Sequence, residues 1–493
     1  MTTSVIRDSF RYSNLKKFTK SLNGSDSLYI GIGRPQYWNT TNNVDSVDLS
    51  SGDYSPKNTL LSTNNDRKDL MSLKRVTFSD VSFGISKLMW TAGKKYDIYR
   101  HDYSGQYQSV YDSLTYPSSL SMAKYVVLTS SFDIFICIKQ GKLGGVVVAS
   151  VYSPTTGVAV GVGTNVFKTA DGYYWKFIGK TDTGDYSRFS SITHHPVKTL
   201  TVQPQVSDTY YNQWVAQIES AQFKAGIYNI EVLSSGTGYN SGNSGIHSVT
   251  DAETDPLIRV YGDGTGIQFS VTYGAGGSIV DIEITNPGTG YTYASIATLG
   301  GGAGFTSDII FTPRHGLGAD PEKDTSALFL LASTTLNSDE SGKFTVDNDF
   351  RKICLISNPV NYGTSIVSTM GTGKAMQSLA LTSIVGGTTA FSPDDIIVGA
   401  TSQLKARVVD FNGVDMLRYI VTGDEGNIGV NSNNLFLVGE SVSVDGGTGS
   451  ATVSELIPPD IDPFSGEIIY SEYRQPTLRQ LGNTENIRLI VEF

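Results

Sequence analysis

Few residues in this sequence of 493 have the types and spacing that chemistry requires, and the glycine phrase GDGTG (262–266) is the first candidate. Backbone N–H groups exposed by glycines can bind a phosphate when the loop opens a helix. A phosphate loop also carries Lys and Ser/Thr at fixed positions, whereas this phrase runs into the strand-like IQFSVTY. We therefore interpret these glycines as residues of tight turns.

The histidines lack the spacing of a metal site. There are five of them: His101, His194, His195, His247 and His315. No two stand in the i, i+4 or H-x-H arrangement that places imidazoles around zinc. His101 beside Asp102 has the composition of a general base with its orienting acid, but no nucleophile phrase such as GxSxG is near. We predict that the histidines bind no metal and that His101 lies in a surface loop.

Two acidic doublets have the composition needed for glycoside hydrolysis or calcium binding. They are Asp394 with Asp395, and Asp424 with Glu425 in TGDEGN. Neither follows the oxygen-ligand spacing of a calcium loop, and turn chemistry accounts for both. The sequence therefore predicts no catalytic, cofactor-binding or metal-binding residues, and we expect that the protein is not an enzyme.

The composition limits the partners of the chain. A net charge of −10 argues against a surface that neutralises nucleic-acid phosphates. The start, MTTSVIRDSFRYSNLKKF, lacks the apolar stretch of a signal peptide, and no run approaches the roughly 18 apolar residues of a membrane span. We expect neither nucleic acid nor membrane as a partner, and synthesis in the cytoplasm. Cys137 and Cys354 lie in apolar runs, which predicts buried, reduced thiols, with a disulfide as the less favoured alternative.

Two segments have the spacing of helices. The apolar positions concerned are Leu15, Phe18 and Leu22 in the first segment and Tyr211, Trp214 and Ile218 in the second. We predict a helix over 14–22, capped by Ser13 and ended by Gly24, and another over 208–224. Elsewhere, abundant glycine (52) and tyrosine (27) with only 17 % charged residues indicate strands. Residues 39–70, dense in Asn, Ser, Asp and Thr, are predicted to form a surface excursion.

Residues 226–313 contain an internal repeat. The phrase YNIEVLSSGTGY (228–239) recurs as VDIEITNPGTGY (280–291), 52 residues later. Each is followed by a glycine phrase and an alternating strand, VYGDGTGIQFSV (260–271) after the first and ATLGGGAGFTSDI (297–309) after the second. A duplication that forms small β modules is the simplest explanation.

These patterns predict a mainly β chain. We expect a layered β-sandwich body with a few short helices in marginal loops and inserted glycine-rich β modules. The body is predicted to comprise residues 1–225, 314–360 and 461–493. Residues 226–313 are the duplicated insert, and residues 361–460, which include the related fragment VSVDGGTGSATVSEL, are a second β-rich insert.

Three parts of the sequence carry motifs of one known family. Near the start, the first helix and LYIGIGRPQYW match a helix and strand with Gly33, Arg34 and Trp38 in place. In the middle, DGYYWKFIG (171–179) and FRKICLISNPV (350–360) match an Asp-Gly-Tyr-x-Trp strand and a Phe-Arg-x-Ile…Asn-Pro strand. The C-terminal signature matches at Ser465, Gly466, Glu467, Ile469, Tyr470, Arg474, Pro476, Glu485, Ile487 and Phe493. With these motifs the chain resembles the baseplate wedge subunit of T-even-like contractile-tailed phages.

The resemblance covers nearly the whole body. The two inserts make the chain longer than the T-even member and look like those of the longer versions from phages of marine cyanobacteria. Tyr473 stands where the family usually has Asn, and Asn483 where Gln is common. The resemblance implies a homodimeric β-sandwich subunit without a cofactor. Such a subunit is made in the host cytoplasm and binds the other wedge proteins in the tail baseplate of the virion.

Two other functions stay open at this point. A tail-associated receptor- or carbohydrate-binding protein would use exposed aromatic rings of the repeats, for which Tyr239 and Tyr291 are candidates, although we expect both to pack inside their modules. A tail-associated glycan-degrading enzyme would need paired carboxylates about 5–10 Å apart in a cleft.

Overall fold

The computed structural model describes residues 7–22, 24, 26–35, 67–155, 165–240, 244–299, 301–421 and 435–493. Tyr37, Trp38, most of the predicted excursion over 39–70, and the doublet Asp424 and Glu425 lie outside the described residues. The chain forms two compact units. Unit 1 comprises residues 1–16, 82–331 and 492–493, and unit 2 comprises residues 17–81 and 332–491.

The fold is mainly β with antiparallel sheets and a few short helices, as predicted. The helices are α1 (Asp8–Ser21), α2 (Thr183–Phe189), α3 (Tyr211–Ser220) and α4 (Pro321–Asp324). The strands are β1 (Leu28–Gly33), β2 (Leu70–Val76), β3 (Val81–Ser86), β4 (Val126–Leu128), β5 (Asp133–Lys139), β6 (Lys142–Leu143), β7 (Val146–Val147), β8 (Val166–Lys168), β9 (Tyr174–Lys180), β10 (His194–Val197), β11 (Ile227–Thr237), β12 (Gly245–Val249), β13 (Ile258–Gly262), β14 (Thr265–Tyr273), β15 (Ile279–Thr289), β16 (Ala294–Thr298), β17 (Ala303–Phe311), β18 (Phe329–Asn337), β19 (Asn348–Ser357), β20 (Thr372–Lys374), β21 (Gln377–Val385), β22 (Ile396–Gly399), β23 (Lys405–Phe411), β24 (Met416–Ile420), β25 (Ser441–Val444), β26 (Ser450–Ile457), β27 (Glu467–Arg479) and β28 (Thr484–Glu492).

The first helix is longer than predicted. It begins at Asp8, so Ser13 lies inside the helix and does not cap it. Asp8 in the first turn complements the positive end of the helix dipole, a signal that the apolar spacing did not include. Leu15 is buried, as its spacing implies. The N–H of Gly24 bonds the carbonyl of Ser21 at 2.9 Å, which agrees with the predicted stop.

Helix α3 is shorter than the predicted 208–224, and its buried face is polar. Gln213 and Gln217 are buried, whereas Ile218 is 49 % exposed. The Gln213 Nε2 donates to the carbonyl of Lys198 at 2.6 Å. The Gln217 amide both accepts from and donates to the backbone of Leu200. These amides stabilise a neighbouring loop, so the apolar spacing did not identify the packed face.

A five-stranded antiparallel sheet in unit 2 has the order β20-β2-β1-β19-β27. All six residues of β1 are buried, so the strand packs on both faces. Gly31 stands opposite Cys354 on β19, and a Cβ on Gly31 would lie 2.7 Å from the Cys354 Sγ. The glycine therefore leaves room for a thiol that is buried and outside any disulfide, as predicted.

Unit 2 also contains a closed six-stranded barrel, ordered β21-β24-β23-β22-β25-β26. Its strands fall within the predicted second insert, and the fragment VSVDGGTGSATVSEL contributes the hairpin of β25 and β26. The barrel has its own apolar core, which includes Leu379, Leu404, Val408, Leu417, Val442 and Val453. Closure pairs every strand on both sides, so the barrel presents no open edge.

Unit 1 contains a four-stranded antiparallel sheet of order β4-β5-β9-β8. Cys137 on β5 stands opposite Trp175 on β9, and both side chains are fully buried. The ring of Tyr96 meets Trp175 edge-on at a centroid distance of 5.5 Å. The second cysteine is thus also a buried free thiol, as predicted.

The duplicated segment folds as one module in which the two copies exchange strands. β11 from the first copy pairs with β17 from the second, while β14 from the first pairs with β15 from the second. β13 and β16 also pair across the copies. Thr237 lies opposite Ala303, and their counterparts in the repeat, Thr289 and Thr265, lie opposite each other. The matching registers relate the copies by an approximate two-fold axis.

The final tyrosine of each repeat packs on a glycine of the other copy. Tyr239 and Tyr291 are 3 % and 4 % exposed, which confirms that they pack inside the module. A Cβ on Gly302 would lie 2.4 Å from the ring of Tyr239, and a Cβ on Gly264 would lie 2.4 Å from the ring of Tyr291. The glycine phrases therefore allow close ring-to-backbone contact in addition to turns.

Candidate functional site

An ionic cluster in unit 2 joins residues that are far apart in the sequence. Arg34 follows β1, Asp349 and Arg351 lie on β19, and Asp394 precedes β22. Arg34 donates Nε to Asp349 at 2.9 Å and its Nη groups to Asp394 at 2.6 and 2.8 Å. Arg351 donates Nε to Asp349 at 2.6 Å and Nη2 to Asp394 at 2.7 Å. Each carboxylate thus accepts strong, charge-assisted hydrogen bonds from both guanidinium groups.

The ionic cluster is largely closed to solvent. The side chains of Arg351, Arg34 and Asp349 are 1 %, 4 % and 7 % exposed. Burial alone would raise the pKa of Asp349, but the hydrogen bonds and charges of Arg351 and Arg34 outweigh it and lower the pKa. The carboxylate therefore stays ionised. The cluster fixes the end of β1, the start of β19 and the turn before β22 against one another.

A second buried ion pair involves the next residue of β19. The Lys352 Nζ donates to Asp69 at 2.9 Å, and these side chains are 0 % and 6 % exposed. The Nη2 of Arg407 lies 3.6 Å from the other oxygen of Asp69. The Lys352 ammonium also lies 4.8 Å from the ring centre of Tyr473, a cation–π distance. Tyr473, one of the departures from the family pattern, is therefore part of this buried site.

The first acidic doublet separates into two roles. Asp395 accepts the N–H of Ser392 at 2.7 Å, which fits the turn interpretation. Asp394 has a φ of 74° and belongs to the ionic cluster. Nothing in the local sequence indicated this role, because Arg34 stands 360 residues away.

The adjacent histidines are structural residues of β10. His195 is fully buried, and its Nε2 lies 2.8 Å from the Thr181 hydroxyl. Burial, with a smaller contribution from the charge of Lys87, lowers the pKa of His195 to about 3. His194 lies edge-on to Phe329 at a ring-centre distance of 4.3 Å. The strand places the two imidazoles on opposite faces, so they do not form one site.

The other histidines each have a separate partner. His247 pairs with Asp255 and His315 with Asp324, both at 2.8 Å. The Nδ1 of His101 accepts the N–H of Phe311 at 3.2 Å. Asp102 accepts hydrogen bonds from Arg100 and Tyr107, so it does not orient His101 as a catalytic acid would. The sequence suggested this dyad as a weak alternative, and the geometry does not assemble it.

The glycine phrase at 262–266 forms a turn, as predicted. It joins β13 to β14, and a strand follows in place of the helix that a phosphate loop requires. Hydrogen bonds from the hydroxyl and N–H of Thr292, followed by the N–H of Tyr293, lower the pKa of Asp263 to about 2. The carboxylate therefore fixes the start of the neighbouring strand.

Three ion pairs attach the module to the neighbouring strands of unit 1. Lys139 contacts Asp281 at 2.5 Å, Lys168 contacts Glu283 at 3.0 Å, and Lys142 contacts Glu231. The acidic partners occupy the polar positions of the repeated phrase, Glu231 in the first copy and Asp281 and Glu283 in the second. Alternation along a strand places such positions on one face. The phrase thus supplies the module with its attachment surface.

The described ranges contain no group of three or more His, Cys, Asp or Glu side chains that could hold a metal ion. Within the same ranges, no helix is long and apolar enough to cross a membrane. No protein-family model and no curated protein matches the chain.

Proposed function

We propose that this chain is a structural subunit of a contractile phage tail baseplate wedge, which holds neighbouring wedge proteins in a defined geometry for assembly and contraction. One observation carries the proposal. Three stretches with the family motifs, LYIGIG, FRKICLISNPV and SGEIIYSEYRQP, contribute β1, β19 and β27, which are neighbours in one sheet. Motifs that are far apart in sequence thus share one structural element.

The ionic cluster gives the motifs a physical role. Arg34 of the first motif and Arg351 of the second both donate hydrogen bonds to the same two carboxylates, Asp349 and Asp394. Buried ionic groups of this kind suit a protein that must keep one geometry, because a shifted strand would leave a charge unpaired. This arrangement supports a mechanical role without requiring any reaction.

Location in the particle tests the proposal. Phage particles that contain the chain are labelled with an antibody raised against it and imaged together with isolated tails. We expect label at the end of the tail away from the head. Label on the head or along the sheath, or no label on intact particles, would contradict the proposal.

Association of the purified chain is a second test. Sedimentation velocity of the full chain is expected to show a homodimer, and co-expression with the products of the adjacent tail genes is expected to yield a larger complex. A monomer that joins none of these proteins would contradict the assembly role. The carbohydrate-binding alternative based on Tyr239 and Tyr291 has lost its basis, since both rings are buried.

A further inference from the structure

A polar groove borders the duplicated module within unit 1. It has a volume of about 480 Å³ and lies between the loop at His101 and the strands β16 and β17. Its polar lining residues are His101, Asp102, Ser295, Thr306, Ser307 and Asp308. The volume falls in the roughly 300–1,000 Å³ range of small-molecule sites. We propose that this groove binds a neutral saccharide, a function separate from the assembly role.

A buried arginine fixes the two carboxylates of the groove. Arg100 is 6 % exposed and donates Nε and Nη2 to Asp102 at 3.0 and 2.9 Å. Its Nη2 also donates to Asp308 at 2.5 Å. The ring of Tyr107 stacks on the guanidinium at 3.7 Å, and its hydroxyl donates to Asp102 at 2.9 Å. The carboxylates are therefore held in place before any ligand arrives.

The charge state of these carboxylates suits them to accept hydrogen bonds. Burial alone would raise the pKa of Asp102, but the hydrogen bonds and charge of Arg100 and the bond from Tyr107 lower it. Each side chain keeps 29 % exposure, and a carboxylate has about four lone-pair positions. Adjacent hydroxyl groups of a sugar supply donors to such a pair.

His101 adds a donor of the opposite kind. Because its Nδ1 accepts the N–H of Phe311, the neutral ring carries its proton on Nε2. Burial, with a smaller contribution from the charge of Arg100, lowers the pKa of His101 against the opposing charges of Asp102 and Asp308, and this favours the neutral form. An N–H donor beside two acceptors matches a hydroxyl group, which both donates and accepts.

Two exposed tyrosines border the groove. Tyr261 and Tyr293 are 50 % and 63 % exposed. Tyr261 lies opposite Ser295 in the β13–β16 pair, and Tyr293 stands two residues before Ser295. Tyr261 therefore shares a sheet face with Ser295, and Tyr293 directly precedes Ala294, which also lines the groove. Exposed aromatic rings beside a groove can pack on the C–H faces of a sugar ring.

Charge selects among ligand classes. The lining carries two carboxylates and one buried guanidinium that both carboxylates already use, so an anionic ligand would meet repulsion. A hydroxyl-rich neutral ligand satisfies the carboxylates without a counterion. This complementarity to the lining and the bordering tyrosines favours a neutral saccharide over an acidic one.

Saturation-transfer NMR on the full chain tests the groove. The probes are maltohexaose, isomaltohexaose, cellohexaose and mannohexaose, with hexagalacturonate as the acidic counterpart. We expect at least one neutral hexasaccharide to bind and the acidic one not to bind. Tyr261→Ala and Tyr293→Ala are each expected to weaken binding about 2- to 10-fold. Asp308→Ala is expected to weaken it at least about tenfold, because a charged acceptor is lost.

The controls separate this groove from general stacking. Tyr152→Ala removes another exposed tyrosine of unit 1, which is 54 % exposed and adjoins no lining residue of the groove, and should leave binding unchanged. We expect the Tyr261 and Tyr293 variants to stay folded, because both rings are exposed, and circular dichroism will check this. Binding by none of the neutral probes, binding of hexagalacturonate alone, equal loss in Tyr152→Ala, or loss on adding EDTA would each overturn the proposal.

Discussion

The buried ion pairs of the five-stranded sheet in unit 2 and the ion pairs that attach the module in unit 1 have the same chemistry and different surroundings. Arg351 and Lys352 are 1 % and 0 % exposed, whereas Lys142 and Lys168 are 29 % and 43 % exposed. Water screens the pair of Lys168 with Glu283, whose side chain is 25 % exposed, and leaves this pair a small net contribution, whereas Lys139 and Glu231 in the other two pairs are each 9 % exposed. The pairs of the sheet cannot lose a partner without leaving a charge buried.

This difference in exposure indicates which interactions make each region rigid. In the five-stranded sheet, the ionic cluster links β1 and β19, whose backbones already pair, so both hydrogen bonds and charges hold their register, and it joins them to the turn before β22. In the module, close packing of tyrosine on glycine forms the interior and the ions serve at the periphery. Salt should therefore weaken the exposed pair of Lys168 with Glu283 more than the buried pairs of the sheet.

The largest expected effect is in the sheet. Arg351→Met removes one guanidinium from the ionic cluster and leaves Asp349 and Asp394 with only part of their compensation. We expect a loss of about 3–5 kcal/mol in the free energy of unfolding, measured by urea denaturation. Arg474→Met is the matched control, since its pair with Glu472 on β27 of the same sheet is 48 % and 25 % exposed and should cost below about 1 kcal/mol. An equal loss in both variants would remove the distinction.

A buried lysine in unit 1 sharpens the comparison because burial is the largest influence on its pKa. Lys176 is fully buried, and its Nζ lies 3.5 Å from the Tyr228 hydroxyl. Burial lowers the pKa of Lys176 to about 7, against the weaker opposing effects of Asp324 and Glu219. Between this pKa and the ordinary value near 10.5, the unfolded chain binds the additional proton. Stability should therefore rise with pH across that window.

Lys176→Met tests how much the buried ammonium of Lys176 lowers the stability of the folded state. Below pH 7 both states of the wild type carry the charge and the folded state bears the full penalty, so the variant should be more stable by a few kcal/mol. The rise in stability from pH 7 to 10, at most about 1.4 kcal/mol per unit from this group, should disappear. Urea denaturation at four pH values measures both. A variant that keeps the same pH slope would contradict the assignment.

The glycine contacts are the next test. Gly302→Ala and Gly264→Ala place a methyl group against the rings of Tyr239 and Tyr291, and each should cost about 1–3 kcal/mol of module stability. The approximate two-fold symmetry predicts equal losses. Gly371→Ala is the control, because a Cβ there meets nothing within 4 Å. Hydrogen exchange of β11 and β15 resolves the module from the rest of the chain. A clear difference between the two module variants would show that the copies are not equivalent.

The smallest effect is expected at the attachment surface. Lys168→Met should lower stability by about 0.2–1 kcal/mol at low salt, and 1 M NaCl should abolish the difference, since Lys168 and Glu283 are 43 % and 25 % exposed. Thermal unfolding at both salt concentrations measures this. If this variant matched the loss in Arg351→Met, exposure would not be what separates the two kinds of ion pair.

Local patterns predicted the elements better than their partners. Alternation located β1, and the repeat located β11 and β15, because those signals lie within a few residues. The exchange of strands between the copies depends on distant pairing, such as Thr237 with Ala303, which no local pattern specifies. Helix α3 was placed correctly and its face was not, because buried Gln213 and Gln217 depend on loop carbonyls from another segment.

The candidate sites show the same limit. The prediction that GDGTG is not a phosphate loop was correct, because the alternating residues after it indicated a strand. The sequence alone indicated a turn residue at Asp394, because Arg34 and Arg351 come into contact with it only through the sheet. The groove at His101 was equally hidden, as its second wall comes from β16 and β17, about 200 residues further along the chain.

The strand exchange in the module also constrains its synthesis. A ribosome that has released the first copy has supplied β11 and β13, but their pairing partners β17 and β16 have not yet emerged. The nascent chain must therefore carry β11 without its partner until translation passes Phe311, and a product truncated between the copies would keep both strands as exposed edges prone to aggregation.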